Sequence, residues 1–318
     1  MSLEACLPAE LQGPATTITR VAAGLSGAGV YRVDAGGQAS VLKISDESEP
    51  LARWRAKLRI QQLAANAGLA PRIIHVDETR RAMVSEFVVD RSFPAFYGDT
   101  RTREVAIALL GRTLQRLHQI PLPAEAEGKS PRDFLAGIWA LVGQSSPLPT
   151  FVSDAVERVL AEDEPVTEHA AVLSHNDVNP TNLVYDGERL LLLDWETSGP
   201  NDPYYDLAAI SVFLRMDDDT CKMLLAAYAG AYDGAPTSTR ATLPAGFSYY
   251  RRVAGLLCGT MFLHLARQSG HAGATGEETL ESTLSLGDVY QRLRAGSANL
   301  TTGEGKWLLG LALVKAVS

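Results

Sequence analysis

Hydrophobic and polar positions alternate through the first ~90 residues and then recur at helical spacing through most of the remaining chain. "TTITRV" (16–21), "VYRV" (30–33) and "SVLKI" (40–44) are rich in β-branched residues and are separated by the turn-forming "AGLSGAG" and "DAGGQ". Consecutive strands joined this tightly predict an antiparallel meander. A helix is expected over about 50–67, where Pro50 suits a first turn, Leu51, Trp54 and Leu58 share a face, and Gly68 stops the run. "RIIHV" and "AMVSEFVV" then predict two further strands around a "DETRR" turn. Beyond about residue 90 the pattern is helical, as over 101–119 and 249–268, and only short strands within 183–193 interrupt it. Mixed Pro, Gly and Ser stretches at 121–131 and 143–149 read as connectors. The expected class is α+β: a small antiparallel-sheet lobe with one helix over residues 1–90, and a larger, mainly helical lobe over 91–318, meeting at a junction without a linker.

A chain of 318 residues with 46% hydrophobic content has room for the core that this division needs. Its net charge of -8 argues against a nucleic-acid partner, which would need a concentrated basic face. Arg53, Arg55, Lys57 and Arg59 fall at helical spacing among apolar residues and read as a solvated helix face. Cys6, Cys221 and Cys258 form no CxxC pair, so neither a disulfide framework nor a zinc site is expected, and the compartment is a reducing one. "MSLEACLPAEL" has no basic start or long apolar run, and the longest apolar stretch, 255–266, is too short to span a bilayer. The expectation is a cytoplasmic protein with no membrane partner.

The chemistry concentrates in "SHNDVNPTNLVYDGERLLLLDWE", residues 174–196. "LVY", "DGER" and "LLLLD" predict a hairpin, because Asp-Gly supplies the positive φ angles of a tight turn. Folding it back brings Asn182 beside Asp194 at the ~5 Å spacing of paired strands. An amide oxygen and a carboxylate so placed can hold one hard cation. Asp177 lies in the preceding loop, where Pro180 excludes a regular ladder. Trp195, Glu196, Asp202, Tyr204 and Tyr205 follow, with aromatic faces and negative charge that would attract a quaternary ammonium or amine, unless the tyrosines pack beneath the next helix. Lys43 sits in an apolar strand, where a cation is costly unless it points into a polar cleft. Asp206 opens "DLAAISVFL" and is placed to cap that helix, and His175 is expected to fix its loop by hydrogen bonding. His75, His118 and His264 show no ligand spacing and read as packed or surface residues.

"HNDVNPTN" (175–182) together with "LLLLDWETSGPNDPYYDLA" (190–208) resembles the aminoglycoside phosphotransferase and choline kinase superfamily, with wording nearest the choline, ethanolamine and thiamine kinase branch. "GLAPRII" (68–74) and "LQRLHQIPLP" (114–123) belong to the same pattern, so the resemblance covers about residues 20–265. It implies a two-lobed, protein-kinase-like fold whose first lobe binds nucleotide and whose second carries catalysis and the acceptor. The resemblance further implies Lys43 on the ATP phosphates, the Glu86 and Val88 backbone on adenine, and Asn182 with Asp194 on Mg²⁺. Asp177 would accept or orient the acceptor's hydroxyl proton, and Asp206 would steady the catalytic loop. Ser26, Gly27 and Gly29 of "GLSGAG" would lay backbone N–H groups near phosphates, although the G-x-x-G-x-G order differs from the usual kinase pattern.

The activity so implied is ATP- and Mg²⁺-dependent phosphorylation of a small, cationic alcohol. Phosphorylation of an aminoglycoside or sugar is the alternative acceptor class, and a non-catalytic nucleotide-binding module is the alternative of another kind. A metal-dependent hydrolase would leave Lys43 and the glycine-rich hairpin without a purpose. One departure stands out: residues 50–76 contain no acid, so the glutamate that kinase-like folds place on the first helix to pair with the strand lysine is missing. Glu47, Glu49 or Gln61 would have to stand in for it.

Overall fold

A computed structural model of the chain describes residues 2–21, 29–128, 130–143, 147–166, 169–230 and 242–318. The predicted alternation becomes five antiparallel strands, β1 (Thr17–Arg20), β2 (Gly29–Ala35), β3 (Gln38–Ile44), β4 (Ile73–Asp77) and β5 (Ala82–Glu86), in the order β1-β2-β3-β5-β4. Gly36 and Gly37, with φ of 58° and 79°, close the β2–β3 hairpin in the mirror-image turn that matches strand twist, so that Ala35 pairs Gln38.

Directly opposed residues share a sheet face. Val30, Lys43 and Met83 therefore lie on one face with Arg32, Val41 and Ser85, while Tyr31, Leu42 and Val84 lie on the other. The second face is closed by two helical turns of the N-terminal segment, whose Cys6 and Leu7 pack on Val33, Leu42 and Val84. Across the first runs α1 (Leu51–Asn66), which buries Trp54 and Leu58 against Met83. The Trp54 indole donates to Ser45 Oγ at 3.2 Å, tying the helix to the end of β3.

From Phe93 onward the elements are α2 (Phe93–Gly98), α3 (Arg103–His118), α4 (Pro131–Val142), α5 (Thr150–Ala161), β6 (Val172–Ser174), β7 (Leu183–Tyr185), β8 (Leu190–Leu192), β9 (Gly199–Asn201), α6 (Pro203–Phe213), α7 (Asp218–Tyr228), α8 (Ala245–Gln268), α9 (Leu286–Arg294) and α10 (Gly303–Lys315). One large core runs through these helices and reaches the end of α1 and the link behind it, at Ile60, Ala64, Leu69 and Ala70. The C-terminal segment packs within its own chain: α10 crosses α8 so closely that a Cβ on Gly310 would lie 2.9 Å from the Gly259 carbonyl oxygen. Among the described residues no helix is long and apolar enough to cross a membrane.

β7 and β8 form the predicted hairpin, with Leu183 opposite Leu192 and the Asp-Gly turn at its tip, where Gly187 has a φ of 110°. The hairpin is anchored where the sheet gives way to the helices. Leu192 N–H donates to Leu69 O at 2.8 Å, Arg91 N–H donates to Tyr185 O at 2.7 Å, and Asp90 Oδ1 accepts from Tyr185 N–H at 3.0 Å. β6 and β9 form a second short pair, which the sequence pattern does not announce.

Candidate active site

The loop between β6 and β7 is held from below by one buried carboxylate. Asp206 accepts the backbone N–H groups of His175 (Oδ2, 2.8 Å) and Asn176 (Oδ1, 2.9 Å), and Oδ2 also meets His118 Nε2 at 3.1 Å. The other ring nitrogen of His118 meets the Tyr228 hydroxyl at 3.0 Å. Burial alone would raise the Asp206 pKa, but the His118 hydrogen bond, the nearby His118 and His175 rings, and the donated N–H together hold it below the ordinary aspartate value. This corrects two expectations. Asp206 does not cap its helix, because α6 begins three residues earlier at Pro203 and Asp202 is the cap, accepting Tyr204 N–H at 2.8 Å. His118, read as merely packed, is a ligand of the anchoring acid, and its place in "LQRLHQIPLP" was the available signal.

His175 is fully buried, with its ring edge-on to Trp195 at 4.8 Å between centroids. Nε2 lies 2.8 Å from Leu193 O, so it carries the proton, while Nδ1 has no hydrogen-bond partner. A ring with its donor spent on a carbonyl fixes the loop and moves no proton. Asn176 takes up a left-handed backbone (φ 64°) and joins the loop to β9, accepting from Asn201 Nδ2 at 2.8 Å. The turn so formed presents Asp177, half-buried, with each carboxylate oxygen taken by a different amide: Asn179 Nδ2 donates to Oδ1 at 2.9 Å and Asn182 Nδ2 to Oδ2 at 2.8 Å. Burial pushes the Asp177 carboxyl above the ordinary value against the pull of His175 and both amides, and Asp194 adds to the rise. Asn179 is a member of this cluster that spacing arguments missed.

Asn182 reaches Asp177 through Nδ2, leaving its amide oxygen free to face a cation, and its own carbonyl accepts Leu193 N–H at 2.8 Å. That last bond extends the hairpin ladder by one step and sets Asn182 opposite Leu193, one position short of the Asp194 expected beside it. Asp194, immediately beyond, adopts the left-handed conformation (φ 62°) that turns the chain out of β8 and presents its carboxylate to Lys43. Lys43 Nζ lies 2.9 Å from Asp194 Oδ1 and 2.7 Å from Glu196 Oε1. Burial would lower the lysine pKa, but the Asp194 and Glu196 carboxylates outweigh it and keep the ammonium charged.

The residues expected to face an acceptor are placed differently from one another. Glu196 is bound to Lys43. Trp195 is 2% exposed, with its indole N–H donating to Leu192 O at 3.0 Å, and Tyr205 is 4% exposed beside Tyr250, so both are core residues, corrected from the expected acceptor wall. Asp202 is buried as the α6 cap, and Tyr204 stays half-buried against Phe247 and His169. An aromatic following a turn residue can point either way, and here the core under β7 and β8 claims Trp195.

On the sheet side, Glu86 ends β5 opposite Ser40 and spends its N–H on Arg72 O at 2.9 Å, and Val88 is half-buried just beyond it. Gly29 starts β2 opposite Ile44, whereas Ser26 and Gly27 lie outside the described residues. Glu49 does not reach Lys43; it binds Lys57 at 2.6 Å on the same side of α1. Gln61 lines a small recess that it shares with Lys43, Glu49, Lys57 and Glu196.

A protein-family model described as the phosphotransferase enzyme family matches residues 17–243. The curated protein LicA of Haemophilus influenzae is 39% identical over 54 residues, 17% of this chain and 20% of LicA, so the match spans about a fifth of that relative's length. Among solved structures, the choline/ethanolamine kinase family protein of Mesorhizobium loti superposes with a TM-score of 0.59 over 96% of this chain and 94% of that one, at 23% identity. LicA in complex with AMP superposes with a TM-score of 0.56 over 90% and 93% of the two chains, at 17% identity. Likeness at these identities is a likeness of fold, that of the protein-kinase-like phosphotransferases. The family model runs from β1 through the β6–β7 loop and the hairpin to beyond α7, and the chain belongs to the phosphotransferase enzyme family.

Proposed function

We propose that the protein is an ATP- and Mg²⁺-dependent phosphotransferase that moves the γ-phosphoryl group onto the hydroxyl of a small cationic metabolite of the choline or ethanolamine kind. The observation that carries this reading is the meeting of Lys43, from the sheet, with Asp194, from the hairpin, at 2.9 Å across 151 residues of sequence. Phosphoryl transfer requires in-line positioning and charge neutralisation more than covalent help. Lys43 supplies a charged ammonium for the nucleotide phosphates. Asp177, clamped at both oxygens and made more basic by burial, orients the acceptor hydroxyl and takes its proton.

Asn182 and Asp194 would hold Mg²⁺, which supplies charge neutralisation at the β- and γ-phosphates when bound. The donor set fits that ion: one carboxylate and one amide oxygen leave the remaining positions to phosphate and water, as Mg²⁺ prefers. Nucleotide use is supported by the fold shared with the AMP complex of LicA, and the amino-alcohol acceptor by the likeness to the choline/ethanolamine kinase family protein. The Glu196 partner of Lys43 also answers the missing helix glutamate that favoured a non-catalytic module.

The test is ADP release from Mg²⁺-ATP with choline, ethanolamine, thiamine, simple sugars and aminoglycosides in turn, beside Asp177→Asn. Turnover with an amino alcohol that drops by ~10²–10⁴ in the variant is the expected result. Turnover with a sugar or aminoglycoside alone would replace the acceptor class, and nucleotide binding without turnover on any alcohol would replace the enzyme with a binding module.

A further inference from the structure

The lysine that meets the nucleotide phosphates has to be held at a fixed height above them, and in this chain the first helix offers nothing to hold it. Residues 50–76 carry no Asp or Glu. The nearest acid, Glu49, has its carboxylate bound to Lys57 at 2.6 Å and lies 3.7 Å from Arg53, so its charge is already matched. Gln61 faces the recess beside Lys43, and the described hydrogen bonds include none from its side chain. What Lys43 touches instead are two acids from the far side of the cleft, Asp194 and Glu196. Asp194 is one of the two residues assigned above to a cation. Glu196 has no such second duty, lies closest to Nζ at 2.7 Å, and sits on a helical turn, Trp195–Thr197, nailed into the core by the Trp195 indole. α1 packs against that turn as well as lining the recess beside Lys43 with Trp54, Leu58 and Gln61.

We propose that Glu196 is the positioning residue for Lys43, doing from the catalytic half of the molecule what a helix acid would do from the nucleotide-binding half. The inference rests on the phosphotransferase reading. It follows that the Lys43 ammonium is aligned for phosphates only when the sheet and the hairpin are docked together. The effect is confined to the phosphate end of the nucleotide, because neither Lys43 nor Glu196 lies on the segment at Glu86 and Val88 assigned to the base.

The test measures two dissociation constants by calorimetry, for adenosine and for the non-hydrolysable ATP analogue AMPPNP with Mg²⁺, in the full chain and in Glu196→Gln, Glu196→Asp and Glu49→Gln. Loss of a charge-assisted hydrogen bond to Lys43 is expected to weaken AMPPNP roughly tenfold or more in Glu196→Gln, with adenosine unchanged. Glu196→Asp should recover part of the loss, and Glu49→Gln should bind both as the parent does. The proposal is overturned if Glu196→Gln binds AMPPNP as tightly as the parent, if it loses adenosine and AMPPNP equally, or if Glu49→Gln shows the selective loss. A parent chain that binds neither compound would instead overturn the phosphotransferase reading itself, an outcome distinct from a parent that binds both and a variant that does not differ.

Discussion

Asp206 is fully buried, yet it stays charged because three donors, two of them from His118 and His175, converge on it. Removing such a partner leaves buried donors without an acceptor, so Asp206→Ala should cost about 3–5 kcal/mol in urea denaturation and release the loop that carries Asp177. Its folded-state pKa lies below the ordinary 3.8, so the stability it contributes is complete above that value and is lost as the pH falls through the lower folded value. Urea stability of the parent chain should therefore fall below about pH 4 by a step that Asp206→Asn lacks. At this scale the sequence was informative where spacing alone decides geometry. A hairpin announced by Asp-Gly folds the two strand ends together, although it pairs Asn182 with Leu193 and leaves the expected Asp194 one position beyond. It was silent where a residue has two physically equal uses: an acid in the first turn of a helix can cap it or turn inward, and only the closed fold distinguishes Asp202 from Asp206.

Elements built from long periodic runs were legible to within a few residues, as with α1, expected over 50–67 and found over Leu51–Asn66. β6 and β9 were not, since three residues are too few to establish a period and their pairing depends on a loop folding back over some 25 positions. The crossing of α8 and α10 depends on the absence of side chains and not on a pattern of them. A methyl group at Gly310 would press on the Gly259 carbonyl at 2.9 Å and on the Leu263 side chain. Gly310→Ala should lower stability by about 1–3 kcal/mol, seen as a lower urea midpoint at unchanged slope. The equivalent change at Gly276, where nothing lies within 4 Å but φ is 91°, tests backbone strain alone.

For the whole molecule, the cleft between sheet and helices gathers the paired charges of Lys43, Asp194 and Glu196. Mg²⁺ without nucleotide meets one carboxylate and one amide oxygen and should leave the melting temperature nearly unchanged. Mg²⁺ with ATP at a hundred times its dissociation constant should add about 2.7 kcal/mol, a rise on the order of 2–4 °C, and chelating the metal should reverse it. Lys43 and its partners are also separated in time. Ribosomes add roughly 5–20 residues each second, so the 151 positions between Lys43 and Asp194 correspond to roughly 10–30 s of synthesis after the strand bearing the lysine has been made. Through that interval Lys43 has neither of the acids it meets in the folded chain. A ribosome stalled before residue 194 would hold a chain whose Lys43 has neither of the acids that pair with it.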